Sequence, residues 1–307
     1  MSNLAIQFIE TTKSYAMGFW GRKQTALDHL NLAVPTQSIF GFLGANGAGK
    51  TTSIKMLIGL QFPDSGKIEI FGQPIHLPET KARVGFLPER PYFHDRTTAE
   101  EFLNFHRGLY GRYKKEKLPS NQDLLATVGL NDVAGKYLSD YSKGMLQRIG
   151  IAQALVNDPD LVILDEPMSG LDPVGRREVR DLISGLAKSG KTVFFSSHIL
   201  SDVETVCNRI AFLEKGVLKF EGDFDKIRQT GNSKEIVFSS IPEAERKASN
   251  TLSKAEERGG VYVLHCKDQN HAVEATREIL ARNGNLISLN PQHISLEEFL
   301  FGKEASK

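Results

Sequence analysis

Cysteine is almost missing from this 307-residue chain: Cys207 and Cys266 are the only two, far apart and without a C-x-x-C pair. So small a supply argues against a disulfide scaffold or a cysteine zinc site and predicts two free thiols in a reducing compartment. The eight histidines are scattered, with no pair at helical metal-ligand spacing. Net charge is lacking too. Lys and Arg number 38 against 37 Asp and Glu, a balance of +1, so the basic footprint of a nucleic-acid binder is absent. No apolar run approaches the ~18 residues of a membrane span. The opening Met1-Ser2-Asn3-Leu4 has neither the basic nor the apolar region of a signal peptide. What is present is an ordinary hydrophobic fraction of 40% and enough length for a large domain and a small one. A soluble cytoplasmic protein is expected.

One glycine-rich stretch breaks this plain background. Gly44-Ala45-Asn46-Gly47-Ala48-Gly49-Lys50-Thr51-Thr52 satisfies G-x-x-x-x-G-K-[ST], the phosphate-binding P-loop. Glycines let backbone N–H groups approach phosphate oxygens without an intervening Cβ. Lys50 is placed for the β- and γ-phosphates, and the Thr51 hydroxyl for Mg²⁺. The flanks agree: Ser38–Leu43 reads as a buried strand, and Ile54, Met56, Leu57 and Ile58 as the apolar side of a helix ending near Gly59. A helix starting here also turns its positive dipole end toward the anion.

Three more strands deliver polar groups at their ends, where open parallel sheets place ligand contacts. Val84–Leu87 stops at Pro88 and leaves Glu89 at the edge. Leu161-Val162-Ile163-Leu164, apolar throughout, fits a strand buried on both faces and ends in Asp165-Glu166-Pro167. Asp165 is placed to hold Mg²⁺ with Thr51, and Glu166 to polarise an attacking water. Thr192–Ser197 ends in His198, whose imidazole is placed for the γ-phosphate by the same strand-end rule; a lone histidine is more often a satisfied structural residue. Ser169-Gly170-Leu171-Asp172-Pro173 turns into a helix with Asp172 as N-cap and Pro173 at its first position. Ser142 and Gly144 open a further helix, with Ile149, Ile151, Ala152 and Leu155 inward, and offer either a second phosphate site or an ordinary serine cap.

Elsewhere the pattern is less specific. Tyr15 reads as an adenine-stacking ring or as a sheet-edge aromatic. The patch Ala16–Gly21, with the only Trp, reads as a contact surface or a tucked-in turn, and the basic run Arg112–Lys117 as a solvated face. Residues 91–141 look like an inserted helical subdomain, where Thr97 and Thr98 cap a helix whose apolar side is Phe102, Leu103 and Phe105. A hairpin is expected around Lys215-Gly216. A linker composition over Asp223–Lys234 predicts a boundary near 225. Beyond it, strands at 235–239, 261–265 and 286–289 alternate with helices at 243–254 and 271–283, the second with Ala272, Ala275, Ile279 and Leu280 inward. Ser295 and Glu298 predict a capping box for a last helix. Residues 235–307 thus read as a small α/β domain with no catalytic constellation.

Taken together, Gly44–Thr51, Leu161–Asp165, Glu166, Ser169–Asp172, His198 and Tyr15 resemble the ATPase subunits of ATP-binding cassette (ABC) transporters over about residues 4–225. They resemble the family's Walker A, Walker B, catalytic glutamate, D-loop, switch histidine and adenine-stacking aromatic. The resemblance implies an α/β fold: a P-loop NTPase core with a mostly parallel sheet, an antiparallel N-terminal β subdomain and the helical insertion. It implies ATP and Mg²⁺ as ligands and a head-to-tail pair of subunits in which Ser142 and Gly144 complete the facing copy's site. A separate membrane permease would dock at Phe86–Phe93, with Arg90, Tyr92 and Phe93 as contacts, and hold the chain at the inner face of the membrane. Two departures appear. The signature L-S-G-G-Q stands here as Tyr141-Ser142-Lys143-Gly144-Met145, and the Q-loop glutamine is Glu89, an acid at a metal-facing position. Together with the C-terminal Ser295–Leu300 ending, both resemble type-two exporter ATPases. A soluble ABC ATPase acting on ribosomes or DNA is the alternative, but this chain has neither tandem cassettes with a basic linker nor a long coiled-coil insert. A small-molecule P-loop kinase would lack the Tyr141–Met145 cluster.

Overall fold

The apolar runs that alternate with glycine loops in the first 224 residues become strands of two sheets. In the computed structural model, which describes residues 3–17, 22–113, 116–224, 226, 233–291 and 296–301, the chain divides into two units, Met1–Phe224 and Asp225–Lys307. The first unit begins with β1 (Leu4–Met17), β2 (Arg22–Pro35), β3 (Ile39–Leu43), β4 (Ser65–Ile70) and β5 (Gln73–Pro74). It continues with β6 (Val84–Leu87), β7 (Leu161–Leu164), β8 (Thr192–Ser197), β9 (Arg209–Glu214) and β10 (Val217–Asp223).

Six of these form a sheet in the order β10-β9-β3-β8-β7-β6. Neighbours from β9 to β6 are parallel, and β10 closes one edge as the antiparallel arm of the hairpin around Lys215-Gly216. β3, β7 and β8 are buried along their whole length, as unbroken apolar runs require of strands covered on both faces. The other sheet is antiparallel, in the order β2-β1-β4-β5. One core joins them: Ile6, Phe8, Leu27 and Leu32 from the antiparallel sheet pack with Phe40, Phe42 and Phe194 of the parallel one. Ile54, Met56 and Leu57 of α1 (Lys50–Leu57) belong to that core, so the P-loop helix is anchored through its buried side.

After α2 (Pro78–Ala82), the helical insertion consists of α3 (Ala99–Gly108), α4 (Asn121–Thr127) and short 3₁₀ turns before α5 (Lys143–Ala154). Capping boxes start α3 (Thr98 with Glu101) and α4 (Ser120 with Asp123). Phe102 and Leu103 of α3 are buried, but Phe105, expected inward, is 62% exposed. At 100° per residue, positions 103 and 105 lie about 200° apart and cannot share a face. On α5, Ile149, Ile151, Ala152 and Leu155 are all buried. The unit continues with α6 (Pro173–Lys188), capped by Asp172, and α7 (Leu200–Val206).

The second unit holds β11 (Lys234–Ser239), α8 (Glu243–Lys247), β12 (Glu256–Arg258), β13 (Val261–Cys266), α9 (Gln269–Ala281), β14 (Asn285–Pro291) and α10 (Leu296–Phe301). Its sheet runs β12-β13-β11-β14, antiparallel throughout, and packs Ile236, Phe238 and Leu264 against Ala272, Ala275 and Ile279 of α9. Two expectations fail here. The helix over 243–254 stops at Lys247, because the Ser249 hydroxyl accepts from the Thr251 and Leu252 N–H groups and competes with the helical ladder. Leu280 is exposed, one residue and about 100° round from the buried Ile279. The patch at Gly18–Gly21 and the cap residue Ser295 lie outside the described residues.

Candidate functional site

Sheet order brings the motif residues together. The loop after β3 carries Gly44–Gly49, β8 ends in His198, β7 in Asp165 and Glu166, and β6 leads to Glu89. In the sheet these strands are consecutive neighbours, β3-β8-β7-β6. Their carboxyl ends border a cavity of about 420 Å³ lined by Ala26, Ala45, Asn46, Gly47, Gly49, Lys50, Thr51, Thr52, Glu89, Glu166, Ser169 and His198. A larger cavity, about 620 Å³, lies between α4, α5 and α6, and none of the cavity-lining motif residues reaches it.

The loop's shape requires its glycines. Gly49, the N-cap of α1, has φ +111, and a Cβ there would lie 2.5 Å from the Ala26 carbonyl oxygen. Behind it the Lys50 side chain folds back over the loop. Its buried ammonium donates to the Gly44 oxygen at 2.6 Å and the Ala45 oxygen at 3.4 Å, and lies 3.4 Å from Glu166 Oε1. Gly44 and Ala48 are the buried floor of the loop; Thr51 and Thr52 present the first turn of α1 to the cavity.

Glu166 is the pivot. Its backbone is in the left-handed region at φ +49, a conformation that costs a residue with a side chain on the order of 1 kcal/mol or more. Its second oxygen, Oε2, is 2.8 Å from His198 Nδ1. Ser196 secures the turn: its hydroxyl accepts from the Glu166 N–H at 2.9 Å and donates to Asp165 Oδ1 at 2.7 Å. Asp165 is buried beneath the cavity. Burial raises its carboxyl above the usual range, the charges of Glu166 and Glu89 push the same way, and the Ser196 hydrogen bond and Lys50 only partly oppose them.

Not every candidate gathers here. Tyr15 is absent from the cavity lining; its hydroxyl donates to Gln61 Oε1 at 2.5 Å, which holds the ring on the β1 side. Ser142 caps α5, accepting from the Met145 N–H at 3.3 Å, and Gly144 follows in the first turn; neither lines the cavity. Asp172 is spent on its own helix, accepting from the Gly175 N–H at 2.8 Å. Ser169, the first residue of the segment that resembles a D-loop, lines the cavity; Ser196 and Ala26 help to build the site and were not singled out by sequence. Ser196 had one visible signal, a hydroxyl near the end of an otherwise apolar strand.

The donor set suits a divalent cation of the Mg²⁺ kind. Thr51 and Glu89 face one cavity, with the desolvated Asp165 beneath it. Among the described residues no three His, Cys, Asp or Glu side chains gather as a metal cluster. A cation here would take most of its ligands from phosphate and water, as Mg²⁺ does.

Comparison with known proteins agrees with this geometry. The ABC transporter family description matches residues 27–169. An uncharacterized ABC transporter ATP-binding protein of Synechocystis is 42% identical over 94% of this chain and 82% of its own length. A bacitracin transport ATP-binding protein, BcrA of Bacillus licheniformis, is 42% identical over 76% of this chain and 74% of its own. Among solved structures, a dimeric ATP-binding cassette bound to ADP and Pi in a post-hydrolysis state superposes with a TM-score of 0.62, at 24% identity, over 71% of this chain and 98% of that one. With a P-loop, two strand-end carboxylates and a histidine gathered at one sheet edge, and with relatives of this kind over nearly its whole length, the chain belongs to the ATP-binding proteins of ABC transporters.

Proposed function

We propose that this chain hydrolyses ATP in a site shared between two opposed copies, and so drives export through a separate membrane permease. The position of Glu166 carries the reading. A carboxylate is held in a strained backbone conformation between the Lys50 ammonium and the His198 imidazole, in the lining of the cavity that the P-loop borders.

Lys50, freed from the loop carbonyls by stronger phosphate acceptors, neutralises charge that develops on the β- and γ-phosphates. Thr51, Asp165 and Glu89 are the groups that would hold Mg²⁺. Held there, such an ion would supply positive charge to offset the phosphates. Glu166 accepts a proton from the attacking water, and His198, hydrogen-bonded to Oε2, holds the carboxylate in line and reaches toward the γ-phosphate.

The cavity is walled by the P-loop, the groups that follow the strand ends, Ala26 of β2 and Ser169. Ser142 and Gly144 are in the same chain but outside it, and a Cβ added at Gly144 would meet nothing within 4 Å. Glycine is a poorer helix former than alanine, and among the described residues no neighbour requires it. Close approach of a phosphate held by a second copy supplies the reason, with the positive end of α5 aimed at the anion. Asp172, holding the turn that follows Ser169, borders the same interface. Tyr15 keeps its adenine-stacking role in this reading, on the β1 side of the loop.

The permease contact is assigned to the Phe86–Phe93 segment. Tyr92 is 80% exposed and Arg90 is exposed near it in sequence, while Phe93 packs on Phe102. No helix among the described residues is long and apolar enough to cross a membrane, so attachment at the inner face would come through that docking. The balanced charge gives no reason to add nucleic acid as a partner. Glu166→Gln tests the core of this proposal: turnover at saturating ATP falls by roughly 10²-fold or more with ATP binding intact. Retention of most activity would remove Glu166 from its role.

A further inference from the structure

Glu166 and His198 must be held at 2.8 Å from each other, yet they stand on two separate turns, after β7 and after β8. The β7–β8 ladder and the Ser196 hydroxyl on the Glu166 N–H tie those turns at their roots, and a second tie lies outside the cavity lining. The Glu166 turn is closed by its own hydrogen bonds, Ser169 N–H to the Glu166 oxygen at 3.1 Å and Leu171 N–H to the Met168 oxygen at 3.3 Å. Arg176, in the first turns of α6, donates from Nε to the Leu171 oxygen at 3.2 Å. Its Nη1 is 4.0 Å from Oδ2 of Asp202. Asp202 is on α7, which starts two residues after His198, and is 2% exposed. His198 itself is clamped at its flanks by Ser197, whose hydroxyl accepts from the Ile199 N–H at 3.0 Å.

A closed ring results: Glu166, its turn, Arg176, Asp202, α7, His198 and back to Glu166. Stability alone is a poor reason for burying Asp202. A buried ion pair is often no better than apolar packing of the same volume, and 4.0 Å is beyond hydrogen-bond range. Burial raises the Asp202 carboxyl, opposed by Arg176 and Arg180, while Glu166 adds to the rise and His198 opposes it, so the group senses the catalytic pair. Asp202 does not line the cavity.

We infer that Arg176 and Asp202 are positioning residues, a strut that sets the His198 turn against the Glu166 turn. The inference rests on the proposed roles of Glu166 and His198. A displacement near 1 Å at such a contact costs up to about 10²-fold in rate, while nucleotide binding through the P-loop is left alone.

The test uses the full chain with Asp202→Asn, Arg176→Met and the double variant, each also in a His198→Ala background. Turnover falls about tenfold in each single variant, KM for ATP stays within about twofold, and the double variant is no worse than the poorer single one. With His198 already removed, Asp202→Asn costs less than about twofold further. Unchanged turnover, losses that multiply in the double variant, or a full loss persisting without His198 would each overturn the strut. If Asp202→Asn does not fold, Arg176→Met, whose side chain is 31% exposed, carries the same criteria. Glu166→Gln is measured alongside. Its retained activity would refute the catalytic reading itself, whereas its loss beside unaltered Arg176→Met refutes the strut alone.

Discussion

Ser196 accepts from the Glu166 N–H and donates to Asp165, so one hydroxyl holds two neighbouring carboxylates apart in direction. It is fully buried, and its loss leaves the Glu166 N–H and the Asp165 oxygen without that partner. Ser196→Ala is therefore expected to destabilise the chain by about 1–3 kcal/mol, read as a melting point lower by several degrees, and to lower turnover. An unshifted melting curve would contradict this account of the turn. At this scale the sequence pointed to Lys50 through the glycine-loop pattern, and to Asp165, Glu166 and His198 because each is a polar group at the end of an apolar strand. The left-handed φ of Glu166 was hidden, since nothing in Asp165-Glu166-Pro167 marks a position where only tertiary contacts hold a strained backbone. The Tyr15 bond to Gln61 was hidden likewise, because it joins residues 46 positions apart.

Among the elements, the starts of helices are where local chemistry decides. Glu101 and Asp123 accept from the backbone N–H of Thr98 and Ser120, and their carboxyls titrate below the usual range, through the backbone bond first for Glu101 and the side-chain bond first for Asp123. A depressed folded pKa gives stability that is present above the unfolded value and lost as pH falls through the folded one. The melting difference between the wild type and Glu101→Ala is therefore expected to be full at pH 6–7, to shrink below about pH 4.3, and to vanish in stronger acid. A difference that stays constant down to pH 3 would contradict the capping role. The Thr98 cap was legible because it follows a short local code; Ser120 and Asp123 follow the same code and were not singled out by sequence. The break after Lys247 was not legible, since a serine that competes for backbone N–H groups looks the same in sequence as one that faces solvent. Strand β12, three exposed polar residues long, had no alternation to reveal it.

Across the whole molecule, strand order does what no local pattern can. The P-loop and His198 are separated by about 150 residues, yet β3 and β8 are neighbours, and β7 lies beside β8. The alternation of apolar strands with helices made a mostly parallel sheet readable in sequence; the order of its strands, and so the meeting of Lys50, Glu166 and His198, was not. The surface follows the same division of labour. Tyr92 is fully presented, away from the site, so Tyr92→Ala is expected to leave ATP hydrolysis by the isolated chain within about twofold while weakening permease binding by on the order of tenfold or more. Equal binding by wild type and variant in a pull-down with the permease would move the docking surface elsewhere.

The proposed site needs a second copy to supply Ser142 and Gly144, so its activity depends on concentration. Turnover per chain, followed by dilution at saturating ATP, should fall steeply once the protein drops below its dimer dissociation constant and should recover on reconcentration. A turnover per chain that remains constant through that dilution, with the protein shown to be monomeric, would contradict the shared site.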